Sequence, residues 1–253
     1  MAFLLIQFLP KFLSEPIQLS LIAIVFIALI YVFVHHRRQQ SLMSLIDIIL
    51  GYFPILIHEM GHVIANKLSG GKPKDLVVVW RRRERLETGR QGYAITGSKS
   101  RWNQFITTLF GYLMPPIMLI LGVWLKHHTF GPVFLILLIL MFLYYVLLTS
   151  KKFIPAIILI IMAVALYEVT TAPNIHNFGQ ITTYIYHLSL GTLLGEVAQS
   201  SITIFLLTFS QGHQEWDGSQ LRQLTKIPTL FFSIIWIAIN VYAVMYTFTI
   251  LWP

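Results

Sequence analysis

Seven stretches of this chain are apolar for long enough to cross a lipid bilayer, and nothing else in the sequence limits its fold as much. A span needs about 20 predominantly apolar residues at roughly 1.5 Å of rise each. The stretches cover 17–34, 41–68, 102–125, 132–150, 153–171, 182–209 and 228–251. Hydrocarbon offers no partner for a backbone N–H or C=O, so such stretches fold as helices. Composition agrees: 56% of the 253 residues are hydrophobic and 11% are charged, against about 25% charged in a soluble globular chain. A cytosolic enzyme, a disordered regulator and a disulfide scaffold are excluded. The expected fold class is an all-α polytopic membrane protein of about seven transmembrane helices.

Charge placement gives an orientation. Nine of the 18 Lys and Arg residues lie between Lys72 and Arg101. With that loop in the cytoplasm and the spans alternating from it, every Lys and Arg except Arg37, Arg38 and Lys126 falls inside, as the positive-inside rule requires. The N-terminus is then cytoplasmic and the C-terminus external, and the His35-His36-Arg37-Arg38 cluster is the one discordant feature. The net charge of +8 has the same origin and does not call for nucleic acid. The stretch Ala2 to Leu9 is too short to span and lacks the basic flank and small-residue site of a cleaved signal peptide, so it reads as an interfacial segment.

Inside the basic loop the pattern changes. Leu76 to Trp80 is β-prone, Gln91 to Thr96 is a second extended run, and the polar stretch between them ends at Gly89. A small β-hairpin at the cytoplasmic membrane surface, within 72–101, is expected.

The second span carries His58-Glu59-Met60-Gly61-His62, an H-E-x-x-H motif. Helix positions four apart differ by about 40° and 6 Å, so both imidazoles can reach one ion at zinc–nitrogen distances of about 2.0–2.1 Å. Glu59, one residue along, can take a proton from an activated water without being a ligand. Chance would produce on the order of 0.01 such matches in a chain of this composition. Three ionisable residues within one turn of a membrane span normally face a bundle interior or a polar cavity. Cysteine is absent, so a metal site must use imidazole and carboxylate alone. Pro54, four residues before His58, predicts a kink, and Pro115-Pro116 predict an interruption of the third span.

A catalytic zinc site takes a third protein ligand and leaves one position open. Asp47 stands about three turns before His58 on the same helix and cannot reach back. Glu168 falls at the opposite end of its span. Asp217 returns to the side of the motif after four further crossings, and Glu196, near the middle of the sixth span, stays open as an alternative. Gly191 and Gly195 beside Glu196 read as close helix packing around a polar group bonded inside the bundle.

These residues resemble the site-2-protease family of intramembrane zinc metalloproteases, in its small, PDZ-less, peptidase-like bacterial branch. The likeness rests on the HEMGH helix, the following Gly70-Gly71, Gly111-Tyr112 in the next span, and Asp217, Gly218, Leu221, Leu224, Thr225, Ile227 and Pro228 in a D-G-x-x-L-x-x-L-T-x-I-P run. The resemblance implies Zn2+ as cofactor, His58, His62 and Asp217 as its ligands, and Glu59 as the catalytic carboxylate. It also implies a bacterial cytoplasmic-membrane protein acting on a membrane-anchored protein substrate, with the lipid bilayer as its other partner. Gln214-Glu215-Trp216 replaces the stretch that precedes the aspartate in better-known members. The chain then divides into 1–40, an interfacial segment and first span, and 41–253, a metalloprotease-like core. The activity expected is hydrolysis of peptide bonds in or near a transmembrane segment, close to the cytoplasmic face. A metal-binding pseudoprotease and a transporter using Glu168 and Glu196 are the rival readings, and the hydropathy pattern shows no inverted repeat to favour the transporter.

Overall fold

A computed structural model describes residues 17–171, 175–210 and 215–252, with side chains over the same ranges except 163 and 165–179. The elements in chain order are α1 (Leu21–His36), α2 (Ser41–Leu68), β1 (Lys72–Val78), α3 (Arg82–Thr88), β2 (Gly92–Gly97), α4 (Arg101–His127), α5 (Gly131–Leu148), α6 (Phe153–Thr171), α7 (Ile175–Phe209), α8 (Asp217–Thr225) and α9 (Thr229–Leu251). Among the described residues, five helices are long and apolar enough to cross a membrane: α2, α4, α5, α7 over Gln180–Phe209, and α9. That is two fewer than the sequence reading expects. Helix α1 has 16 residues, and the 19-residue α6 is described continuously with side chains only as far as Met162, so neither stands among the five. Ala2 to Leu9 lies outside the described residues.

Helix α2 is central. It packs most extensively on α4 and also touches α1, α7 and both strands. Leu56, Ile57 and Val63, on faces away from the histidines, are as buried as the small residues Gly51 and Ala65. Close approach of α2 to α4 depends on glycine: a Cβ at Gly61 would stand 2.5 Å from the Phe110 carbonyl oxygen. Neither α2 at Pro54 nor α4 at Pro115-Pro116 is broken as a helix, contrary to the expected interruption. A proline removes one backbone hydrogen bond, and packing against neighbouring helices holds the rest.

Gly191 and Gly195 do what their spacing suggests. They let α7 approach α1, where added Cβ atoms would meet Ile27 and Tyr31 at 2.6 and 2.8 Å. Glu196 Oε2, beside them, accepts a hydrogen bond from the Tyr31 hydroxyl at 2.5 Å.

Strands β1 and β2 pair antiparallel, Lys72 opposite Gly97 and Val78 opposite Gly92, with a register shift between Pro73 and Asp75. What looked like a polar turn between them is the helix α3. Its Arg, Glu and Leu residues are good helix formers, Arg83 and Glu87 pair at i, i+4, and Gly89 closes it in the left-handed region. The hairpin is packed along α2: Leu76, Val77, Val78 and Val79 are at most 2% exposed. Its base lies at the C-terminal end of α2, where Gly71 N–H donates to the Asn66 carbonyl. Its tip reaches the other end, where Arg82 donates to Ser41 Oγ at 3.1 Å. The arginines of α3 therefore lie beside the Arg37-Arg38 turn, although the alternation of spans puts those two segments on opposite faces.

Candidate metal centre

Consecutive turns of α2 turn His58 and His62 toward α4 and α8. Asp217 is the first residue of α8, and the turn before it is fixed by Ser219, whose Oγ accepts from Trp216 N–H at 3.0 Å. Asp217 Oδ2 lies 3.5 Å from His58 Nε2 and 3.5 Å from His62 Nε2. All three candidate ligand atoms fall within 4.8 Å of one another. Ligands about 2.1 Å from a tetrahedral zinc are separated by roughly 3.4 Å, so the spacing suits one such ion. Asp217 Oδ2 is buried and has no hydrogen-bond partner among the described residues. A buried carboxylate oxygen without a partner is costly, and a cation between it and two imidazoles removes that cost. The donor set, two imidazoles and one carboxylate, is one zinc accepts at catalytic sites. Residues and geometry therefore fit the metal.

The surroundings orient these donors. His62 Nδ1 lies 2.8 Å from the Thr107 carbonyl, which makes Nδ1 the donor and leaves Nε2 with its lone pair facing Asp217. Thr107 is held by a network across the α2–α4 contact. Its hydroxyl donates to the Asn103 carbonyl at 2.7 Å and accepts from Asn66 Nδ2 at 3.1 Å, and Asn103 Nδ2 reaches back to the Asn66 carbonyl at 2.9 Å. The Tyr112 ring meets His58 edge to face at 4.7 Å. Gly111 lies against both imidazoles, and a Cβ there would stand 2.9 Å from His58 Nε2 and closer still to His62. Asp217 belongs to α8, which is not one of the five candidate spans. Burial pushes its pKa upward, but His62 and His58 outweigh burial and hold it below the ordinary carboxylate range.

Glu59 is 8% exposed and faces the hairpin, where a Cβ at Gly92 would stand 3.0 Å from its Oε1. His58, Glu59, His62 and Asp217 share a cavity of about 340 Å³ with Tyr93, Ala94 and Thr96 of β2 and with Gln104 and Thr108 of α4. The side chains of the three candidate ligands are 12–18% exposed, so the cluster is open to small molecules without facing bulk solvent. Among the described residues β2 has a strand neighbour on one side only, and its residues line the cavity.

Of the residues the sequence singles out, the structure brings His58, His62 and Asp217 together and sets Glu59 beside them. Glu196 is not in the cluster, since its carboxyl is engaged by Tyr31. Asp47 pairs with His35 and Arg85 instead. The Glu168 side chain lies outside the described residues. Sequence reasoning places Asn66 on the polar, inward face of α2 but misses its partners Asn103 and Thr107. The available signal is two asparagines in otherwise apolar spans, where an amide in hydrocarbon implies a partner.

A family model described as Peptidase M50B-like matches residues 19–247. No curated protein and no solved structure matches the chain.

Proposed function

The chain belongs to the Peptidase M50B-like family, in the site-2-protease group, and on that premise we propose that it is an intramembrane zinc endopeptidase. Membership implies a membrane metallopeptidase; the metal, the base and the place of cleavage are the further content of the proposal. The observation that carries it is the bare Asp217 Oδ2, equidistant from two imidazoles.

His58, His62 and Asp217 would hold the zinc, which when bound acidifies a water and polarises an amide carbonyl. Glu59 is placed to take a proton from the attacking water and deliver it to the departing amine, so that one water is added across the broken C–N bond. The nonreacting nitrogen of His62 is held at the Thr107 carbonyl and keeps the imidazole in the tautomer a cation needs. A substrate helix has its amides locked in intrahelical bonds and must be extended before attack. The free edge of β2 offers an extended segment a backbone ladder beside Glu59. Basic residues lie at both ends of α2, Lys67, Lys72 and Lys74 nearest the motif and Arg37, Arg38 and Arg82 at the other, and the proposal takes the motif's end as the cytoplasmic one.

The test is Glu59→Gln in the purified protein. Cleavage of an unfolded protein probe is expected to vanish while zinc stays near one equivalent. A variant that cleaves like the wild type contradicts the role of Glu59, and a wild type that binds zinc without cleaving favours a metal-binding protein over a protease.

A further inference from the structure

We infer that Asp47 and Arg85 form a buried latch that positions β2 over the metal centre, with the end of α1 as part of it. The inference rests on reading the cavity as a protease site, because it concerns the strand a substrate would join.

Three segments far apart in sequence meet at Asp47. Its Oδ1 lies 2.9 Å from His35 Nδ1 on α1, and its Oδ2 accepts from Arg85 Nη1 on α3 at 3.2 Å. Arg38 Nη1 donates to His35 Nε2 at 2.8 Å, which leaves the ring hydrogen on Nδ1 for Asp47 to accept. The side chains of His35, Asp47 and Arg85 are 10%, 6% and 10% exposed. Surface ion pairs are weakened by water and salt, whereas a pair this buried is directional and costly to break.

The latch is coupled to the strand by a short relay. Arg85 Nε donates to the Val79 carbonyl at 2.7 Å, and Val79 N–H donates to the carbonyl of Gln91 at 2.9 Å. Gln91 immediately precedes β2, and Gly92, its first residue, is the one packed against Glu59. At the other end, Gly71 N–H holds the base of the hairpin to the Asn66 carbonyl at 2.7 Å. The hairpin is thus fastened at both ends of α2, with the part nearest Glu59 between the anchors. An edge strand accepts a partner in one register only if its own position is fixed, and a one-residue slip would present the opposite faces. Asp47 and Arg85 touch neither the cavity nor the ligands; they are positioning residues.

The experiment uses the full chain in detergent with zinc bound. In Arg85→Ala, the amides of β2 exchange about tenfold faster or more, while the turn of α2 from His58 to His62 keeps its protection. Zinc content is unchanged, and with fluorescein-labelled casein as the unfolded probe KM rises about tenfold with kcat within about twofold. Arg85→Lys keeps the charge but lacks the fork that holds Asp47 and the Val79 carbonyl together, and gives intermediate values. Asp47→Asn combined with Arg85→Gln removes both charges at once, leaves neither buried alone, and loosens β2 in the same way. Unchanged β2 exchange in the folded variants overturns the latch, as does a fall of zinc content and kcat in step with the rise of KM. A wild type that leaves casein intact refutes the protease reading, and amide exchange then decides the latch alone.

Discussion

Two inward-facing carboxylates bracket α2, the buried Asp47 near its start and the half-buried Asp217 facing its last turns, and the chain treats them in opposite ways. Both Asp47 oxygens are engaged, one by His35 and one by Arg85. Asp217 has two imidazoles 3.5 Å away, and its Oδ2 is the one carboxylate oxygen among the described residues that is buried without a hydrogen-bond partner. A satisfied carboxylate is a tie between segments, whereas an unsatisfied one beside two imidazoles, opening on a cavity, is a place for a cation. Low exposure does not separate the two. What separates them is whether the polar atoms already have partners.

The comparison breaks most sharply if the ligands are removed. His58→Ala is expected to take zinc content from about one equivalent to near zero, read by metal analysis, and cleavage with it. Asp47→Ala does the opposite: it strands the Arg85 cation, and unfolding is expected to become easier by about 3–5 kcal/mol while zinc per folded molecule is unchanged. Denaturant titration and metal analysis of the same sample separate the outcomes.

Smaller effects sharpen the account. Gly111→Ala drives a methyl group into the space of both imidazoles, and zinc affinity should fall about 10–100-fold in competition with a chelator. Asn103→Ala keeps the backbone carbonyl that Thr107 bonds but removes the amide that ties α4 to Asn66 on α2, loosening the helix contact that sets the Thr107 carbonyl against His62. Zinc affinity should weaken by about tenfold, less than for Gly111→Ala because His62 keeps its contact with the backbone.

The site was legible in the sequence to an unusual degree because its chemistry is local. Glu59 and the two histidines share one turn of one helix, and Asp217 could be ranked by counting crossings. Glycine spacing in α7 likewise announced a close helix contact, though not that α1 would be the partner. Other features were hidden because they depend on where the loop goes. A run of β-prone residues marks Leu76 to Trp80 as extended, but not that the strand lies along α2 with α3 folded back to its start. A stretch as charged as RRRERLETG reads as solvated, yet Arg85 is drawn inward by Asp47, a partner 38 positions away. Counting basic residues by loop fails for the same reason, since Lys72 and Arg82 belong to one loop and lie at opposite ends of α2. Span lengths were overcounted where apolar sequence continued past the helix, as at 17–34, where Ser20 caps α1 through a hydrogen bond from Ala23 N–H.

The central claim is that the carboxylate returned by α8 completes the metal centre begun on α2. Its most direct test is zinc affinity measured side by side in Asp217→Ala and in the paired control Asp47→Asn. Loss of stoichiometric zinc in the first and wild-type affinity in the second is the predicted result. Wild-type affinity in Asp217→Ala would contradict it.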